Sequence, residues 1–215
     1  MFRTLINAFK NKEIRNKLLI TIALLFLYRI GCWLPVPGID REVFSYVDGN
    51  NTLLSLLSAI TGSALANGAI LALGISPYIN ASIIVQLLGA VIPSLEKLTK
   101  QGEEGRKKLN TITRYVTLAL AVMQAIGITV AWANACCLSD SMYAGTVFSN
   151  QWVVGGSIVI MLVAGAMFST WLGERITELG VGNGISLLIF IGILATADLA
   201  LIANINSIIQ GTDEY

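Results

Sequence analysis

Few side chains in this sequence are of the types that carry out chemistry. The chain has 215 residues, no histidine and three cysteines, which are Cys32 and the adjacent pair Cys136 and Cys137. Histidine is the commonest metal ligand and general base near neutral pH. The cysteines lack the spacing of a zinc or redox site. Acidic residues lie in polar stretches or near the ends of apolar runs, with Asp198 the closest exception. We therefore expect no catalytic residue, no metal and no cofactor.

The polar groups inside apolar runs are mostly uncharged amides and hydroxyls. Gln86 and Gln124 each interrupt a long apolar run, and Ser82 lies one helical turn before Gln86 on the same face. A buried amide needs hydrogen-bond partners, and an interhelical hydrogen bond in a membrane is worth on the order of 0.6 to 2 kcal/mol. These side chains are therefore predicted to bridge helices, either as permanent contacts or as a polar cluster that can separate.

The composition is that of a helical membrane protein. Hydrophobic residues make up 55% of the chain and charged residues 13%, whereas a soluble domain has about 25% charged residues. Several apolar runs approach the about 18 residues that a spanning helix needs. The predicted fold is an all-α bundle of five transmembrane helices, at about 18–34, 73–93, 115–134, 153–172 and 184–203. Residues 1–17 are predicted to form a basic amphipathic helix on the membrane surface, and 204–215 a polar tail or linker.

The apolar stretch from Leu53 to Pro93 is long enough to cross a bilayer but is interrupted. Its first part ends near Gly68, and its second part starts with a Gly-Ile-Ser-Pro sequence at 74–77. A bilayer core does not tolerate irregular backbone exposed to lipid. The interruption therefore predicts a segment that is buried against protein or lines a cavity.

The positions of the basic residues predict the orientation. With five spans, 12 of the 14 Lys and Arg residues fall on one side: five in 1–17, six in a polar loop at 94–114, and Arg175. The positive-inside rule places that side in the cytoplasm, together with the amino terminus, and places the tail outside. Since five is odd, residues 53–68 are expected to fold back from the outside without crossing.

Four ordered motifs carry a resemblance to a known family. They are Arg29 to Gly31 with Pro35 to Asp40, Ala72 to Ile84, Gly102 to Lys108, and Trp171 to Ser186. Together they resemble the SecY family, the central subunit of the bacterial protein-conducting channel, over the chain from Arg15 to Ile193. SecY proteins have ten spans in two pseudo-symmetric halves, and this chain matches the first five. The sequence leaves open whether it is a fragment, an incomplete chain or a genuine half-protein.

The resemblance assigns roles to the interrupted segment. It implies a mobile plug within about 53–68, formed by residues that are small or apolar: Leu53, Leu54, Ser55, Leu56, Leu57, Ser58, Ala59, Ile60, Thr61, Gly62, Ser63 and Ala64. It implies a pore ring of Ile75, Ile79, Ile185 and Ile189, which could close around an extended chain and block ions by dewetting. Isoleucines at this spacing are also common in ordinary helix packing.

The resemblance also implies a lateral gate and a set of partners. Ser82, Gln86 and Gln124 would form the gate against a helix of the other half, and Arg106, Lys107 and Lys108 a secondary cytoplasmic contact. A charge run of that kind is more usually just a solvated face. The implied partners are SecE-type and SecG-type small subunits, a SecA-type motor ATPase, the ribosome with its rRNA, the nascent chain or signal peptide, and membrane lipids.

The implied function is a passive channel in the bacterial cytoplasmic (inner) membrane. It would pass unfolded secretory proteins across and release membrane proteins sideways, with energy supplied by the ribosome or the motor ATPase. A secondary transporter, the first alternative, usually keeps an acidic residue in mid-span. A membrane-embedded enzyme, the second, needs a catalytic pair, and an insertase needs a polar groove. The sequence favours the channel.

Overall fold

The computed structural model describes residues 12–37, 64–65, 67–134, 151–195 and 197. The described helices are α1 (Lys12–Gly31), α2 (Ser76–Val91), α3 (Pro93–Lys100), α4 (Glu103–Asn134), α5 (Gln151–Leu179) and α6 (Gly184–Ala195). The all-helical class is therefore as predicted. The predicted surface helix up to residue 11, the plug up to Ser63 and the tail lie outside the described residues.

Two of the described helices are long and apolar enough to cross a bilayer. The stretches Glu104–Trp132 and Trp152–Leu179, within α4 and α5, have 29 and 28 residues. Helices α2 and α6 are apolar but shorter. Large apolar side chains on the outer faces of α4 and α5 are exposed, for example Met123 at 70% and Ile160 at 71%. An outer surface of this kind suits a lipid environment.

The segment at 94–114, predicted as a polar loop, is almost entirely helical. Helix α3 starts at Pro93, a residue that fits the first turn of a helix, and α4 starts at Glu103 and continues without a break into the apolar run. The connection is tight because Gly102 has φ +71° and a Cβ on Gly105 would lie 1.8 Å from the carbonyl oxygen of Leu98. The expected loop is thus a helical hairpin that extends α4 beyond its apolar part.

Other helix ends also differ from those expected from hydropathy. Helix α1 includes residues 12–17, which continue into the apolar helix, and α5 runs on to Leu179 through the polar stretch predicted as a turn. Helix α2 begins at Ser76, later than expected. Hydropathy marks where a helix meets water, whereas the helix itself continues until a capping or turn residue ends it.

The backbone between the plug region and α2 is irregular and buried. Residues 67–75 form successive turns, with Gly68 at φ 57° and Gly74 at φ 52°. This turn segment pairs with the stretch that follows α1, since the Val36 amide donates to the Gly68 carbonyl and the Ile70 amide to the Leu34 carbonyl, both at 2.9 Å. Its backbone groups thus find partners within the protein.

The core consists of two neighbouring clusters that share α5. One lies between α4, α5 and the turn segment and includes Ala121, Ala125, Ile158 and Leu162. The other lies between α1, α5, α6 and the start of α2; its buried members are Tyr28, Cys32, Ala64, Ala69, Leu71, Ile75, Leu172, Ile176 and Leu188. Helix α5 therefore supports both sides of the bundle.

Gly165 provides a test of this packing. A Cβ at Gly165 would lie 2.1 Å from the carbonyl oxygen of Ile70, whereas one at Gly156 on the same helix would meet nothing within 4 Å. Because backbone cannot move aside as a side-chain tip can, we expect Gly165→Ala to destabilise the bundle by about 1–3 kcal/mol. Unfolding in detergent measures this, with Gly156→Ala as the matched control. Equal stability of the two variants would contradict the close approach.

Candidate pore constriction and gate

The first turns of α2 and α6 meet around a small, largely apolar cavity. The cavity has a volume of about 20 Å³ and its lining includes Ile75, Ile79 and Ile189, together with Tyr28, Gly74, Ser76 and Leu188. The fourth predicted ring residue, Ile185, packs against the core cluster that contains Ile75 and Leu188. The structure thus brings the isoleucines of the two helix starts to one place, although they are more than 100 positions apart in the sequence.

The four isoleucines differ in exposure. Ile75 is only 5% exposed, whereas Ile79, Ile185 and Ile189 are half-buried. A side chain that lines a passage must keep one face free, so the accessible apolar surface here comes from the last three. Ile75 lines the small cavity from within the buried core that supports them.

Local structure fixes the two isoleucines of α2 relative to each other. Gly74 adopts φ 52°, a left-handed conformation that glycine tolerates best, and Ile75 then forms the amino-terminal cap position of α2. Pro77 in the first turn suits a helix start because its missing N–H needs no partner there. The Ile79 amide donates to the Ile75 carbonyl at 3.1 Å. The two side chains therefore lie one helical turn apart.

The start of α6 is fixed by a capping residue and by contact with α5. The Asn183 side-chain Oδ1 accepts a hydrogen bond from the Ile185 amide at 3.1 Å, as an N-cap residue does. A Cβ on Gly173 of α5 would lie 3.2 Å from Cγ1 of Ile185. Ile185 thus rests directly on the α5 backbone.

The predicted gate residues are divided between two places. Gln86 Nε2 donates to Ser82 Oγ at 3.1 Å, and both line a cleft of about 500 Å³ between α2, α3 and α4 that also includes Arg106 and Thr113. Gln124 is half-buried on α4 and does not line this cleft. At about 1.5 Å per residue, it lies about 16 Å beyond Thr113 along the helix.

The basic residues predicted to contact partners lie on the first turns of α4. Arg106 lines the cleft, and Lys107 and Lys108 are exposed beside it. Within the part of the chain that the structure describes, no group of three His, Cys, Asp or Glu side chains could hold a metal ion.

An ion pair between α4 and α5 was not foreseen from the sequence. Arg114 Nε donates to Glu174 Oε1 at 3.0 Å and Arg114 Nη2 to Glu174 Oε2 at 2.5 Å. The contact is bidentate, and Glu174 is the more buried partner, with 19% of its side chain exposed against 54% for Arg114. Both residues lie where an apolar helix becomes polar. The sequence signal for the pair is therefore two opposite charges at the same end of two neighbouring apolar runs. The pair joins α4 and α5 at the end that carries most of the basic residues.

A double-mutant cycle tests this ion pair. We expect Arg114→Gln and Glu174→Gln each to lower stability, and the double variant to lose less than their sum, with a coupling near the upper end of the about 0.2–1 kcal/mol typical of exposed pairs. The matched control is the exposed pair of Arg175 and Glu178 within α5, whose nitrogen and oxygen are 3.0 Å apart. Unfolding in detergent gives both values, and a coupling no larger than that of the control would contradict a role in joining the two helices.

Solved structures share this fold. The Sec61 chain in the canine ribosome–channel complex from the endoplasmic reticulum aligns with a TM-score of 0.63 and 23% identity, covering 92% of this chain and 42% of that chain. A chain from the structure of a protein-conducting channel aligns with the same scores and coverage.

Related sequences extend over nearly the whole chain. The protein translocase subunit SecY of Staphylococcus aureus is 41% identical over 204 residues, which cover 94% of this chain and 46% of that protein. The SecY of Staphylococcus epidermidis is 39% identical over 216 residues, which cover 100% of this chain and 49% of that protein. The chain thus spans about half the length of these curated relatives. The sequence model of the SecY family matches residues 69–212, more than half of the chain, and the chain therefore belongs to the SecY family.

Proposed function

We propose that this chain forms one wall of a protein-conducting channel that lets unfolded secretory proteins cross the cytoplasmic membrane of a bacterium. The channel also releases membrane proteins sideways into the lipid. It is a passive pore and not an enzyme, a reading that rests on membership of the SecY family. Energy for movement comes from a partner, either a translating ribosome or a SecA-type ATPase.

The observation that carries the proposal is the meeting of α2 and α6 at the isoleucine cluster. Ile79, Ile185 and Ile189 each keep part of their surface free at this point, and the cavity that Ile79 and Ile189 line holds about 20 Å³, room for about one water molecule. Branched aliphatic side chains offer no hydrogen bonds to water or ions, so a narrow ring of them excludes both. The same lack of polar groups lets an extended polypeptide of any sequence pass. Further apolar side chains, from polypeptide outside these helices, complete the ring.

The gate in this proposal is the face of α2 that carries Ser82 and Gln86. The Gln86 amide is exposed within this bundle while donating to Ser82, so it remains available to a helix on the opposite wall. An interhelical hydrogen bond of this kind is worth on the order of 1 kcal/mol, which an entering apolar signal sequence can outweigh. Gln124 does not line the cleft beside that face, and in this proposal it contributes to the gate at a separate point along α4.

The plug in this proposal is the stretch 53–68, whose small residues suit an element that packs closely and still leaves. Its end lies within the described residues, where Ala64 and Gly68 are buried. A buried anchor there, followed by the turn segment, would hold the plug's carboxyl end next to Ile75.

The proposed surroundings follow the family. The chain sits in the membrane with its amino terminus and the basic end of α4 in the cytoplasm, as its basic residues favour, and spans the bilayer five times. SecE-type and SecG-type small subunits, lipids and the nascent chain are its partners in the membrane. The exposed Lys107 and Lys108, with Arg106, are a secondary contact for the ribosome or motor ATPase.

Replacement of ring isoleucines tests the constriction. In the complete channel, Ile79→Ser or Ile189→Ser puts a hydroxyl into the dry ring and shortens the side chain, so we expect the ion conductance of the resting channel to rise several-fold. Planar-bilayer or vesicle-flux recordings measure it. Ile160→Ser makes the same chemical change at a lipid-exposed site of α5 and is expected to leave conductance unchanged. A resting conductance that stays at the wild-type level in both ring variants would remove the ring assignment.

Cysteine crosslinking tests the plug. A cysteine at Ser58 or Ser63 should form a disulfide with a cysteine on a neighbouring small subunit more readily during translocation than at rest, because the plug must leave the pore to let a chain pass. The yield on gels, with and without a secretory substrate, is the measurement. A cysteine at Gly156, on the open face of α5, provides the comparison. Equal yields from active and resting channels would count against a mobile plug.

A further inference from the structure

The corner between α5 and α6 is closed by one hydroxyl group. Thr177 Oγ1 donates to the Gly173 carbonyl at 2.8 Å within α5, and the same oxygen accepts a hydrogen bond from the Gly184 amide at 2.9 Å. A hydroxyl has one proton to donate and lone pairs to accept with, so the two bonds are compatible and orient each other. The first residue of α6 is therefore held by a side chain of the preceding helix.

The backbones at this corner are in direct contact. A Cβ on Gly184 would lie 2.2 Å from the Gly173 carbonyl oxygen and 2.7 Å from Cβ of Ile176. Gly182, in the turn, has φ +77°, which lets the chain reverse within a few residues. These close contacts leave no room for α6 to shift along α5 while the Thr177 hydrogen bond is present.

The contact satisfies a group that a helix start normally leaves open. The first four amides of a helix have no partner inside it, and at α6 they include those of Gly184 and Ile185. The Thr177 hydroxyl takes the first and the Asn183 side chain takes the second. Helix ends that lack such caps fray. Here the capped turn is the one that presents Ile185, and Ile189 follows one turn later.

We infer that Thr177 is a positioning residue for the pore constriction, acting as a latch that keeps the first turn of α6 closed against α5. The inference rests on the proposed channel function. With the latch made, Ile185 stays seated on Gly173 and the ring stays narrow. With the latch lost, the first turn of α6 opens, Ile185 leaves its seat, and the ring admits water.

The test uses Thr177→Val in the complete channel complex, since valine keeps the branched shape and removes both hydrogen bonds. We expect the resting ion conductance per channel to rise by about two- to tenfold. This is the rise in the population of the open first turn of α6 that follows when the net free energy of about one hydrogen bond is lost. Thr177→Ser keeps the hydroxyl and is expected to restore low conductance. Hydrogen exchange of the peptide that holds residues 181–189 should quicken in the valine variant alone.

Thr111→Val is the matched control. Thr111 is also an exposed threonine whose hydroxyl donates to the carbonyl four residues earlier, at 3.1 Å to Lys107, but it lies on α4 away from the constriction. A purely structural loss of that bond changes stability and not conductance. A rise in conductance in both valine variants, or in neither, would overturn the latch.

Two further variants keep the outcome decisive. If Thr177→Val does not accumulate in the membrane, Thr177→Ala removes the same two hydrogen bonds with a smaller side chain at this exposed position, and an unchanged conductance there overturns the inference. Ile79→Ser is measured in the same assay. If Ile79→Ser leaks and the cap variants do not, the latch fails while the ring stands. If none of them leaks, the proposed constriction fails as well.

Discussion

Close contact between backbones is the constraint on which this bundle depends. In a bilayer, lipid tails are as apolar as side chains, so helices are held together chiefly by packing and by a few hydrogen bonds, and small residues dominate their contacts. Along α5, Gly165 faces the carbonyl oxygen of Ile70, and the α5 backbone at Gly173 faces Gly184 of α6. At each point an added methyl group would lie within 2.2 Å of a carbonyl oxygen, so neither contact has room for a Cβ.

These two contacts make α5 the common support of the isoleucine cluster. Ile70 belongs to the turn segment that leads directly into Ile75 and Ile79. The contact of its backbone with Gly165 therefore fixes the position of the start of α2. Gly184 leads directly into Ile185, so its seat against Gly173 places the start of α6. Both pairs of isoleucines are therefore fixed relative to one helix that is itself well packed. The proposed ring would require this, because an error of about 1 Å at either helix start would open or fill a cavity of about 20 Å³.

The sequence allowed the membrane class, the helical fold and the irregular backbone between Gly68 and Ser76 to be predicted, because each follows from hydropathy or from glycine and proline in a local pattern. It also placed Ser82 and Gln86 on one face of a helix, where the structure joins them by a hydrogen bond within α2 and not between helices. Helix ends were harder. Residues 103–114 are strongly charged and are predicted as part of a loop, yet no glycine or proline follows Gly105 among them, and α4 runs through them. The bond between Arg114 and Glu174 joins residues 60 positions apart, and the seat of Ile185 depends on which face α5 presents. No local pattern contains that information.

The bond between Gln86 and Ser82 bears on how the proposed gate would work. A glutamine side chain has two N–H groups and a carbonyl oxygen, and the bond to Ser82 uses one N–H. The second N–H and the oxygen remain for a partner on an opposite wall. The bond within α2 also fixes the direction of the amide before any partner arrives, which lowers the entropy lost on closing. When α2 and the opposite helix separate, the Gln86 amide keeps its hydrogen bond to Ser82. In the proposed channel, opening would therefore break the bond between helices without leaving the whole side chain unpaired, and this would keep the barrier low enough for an apolar segment to overcome.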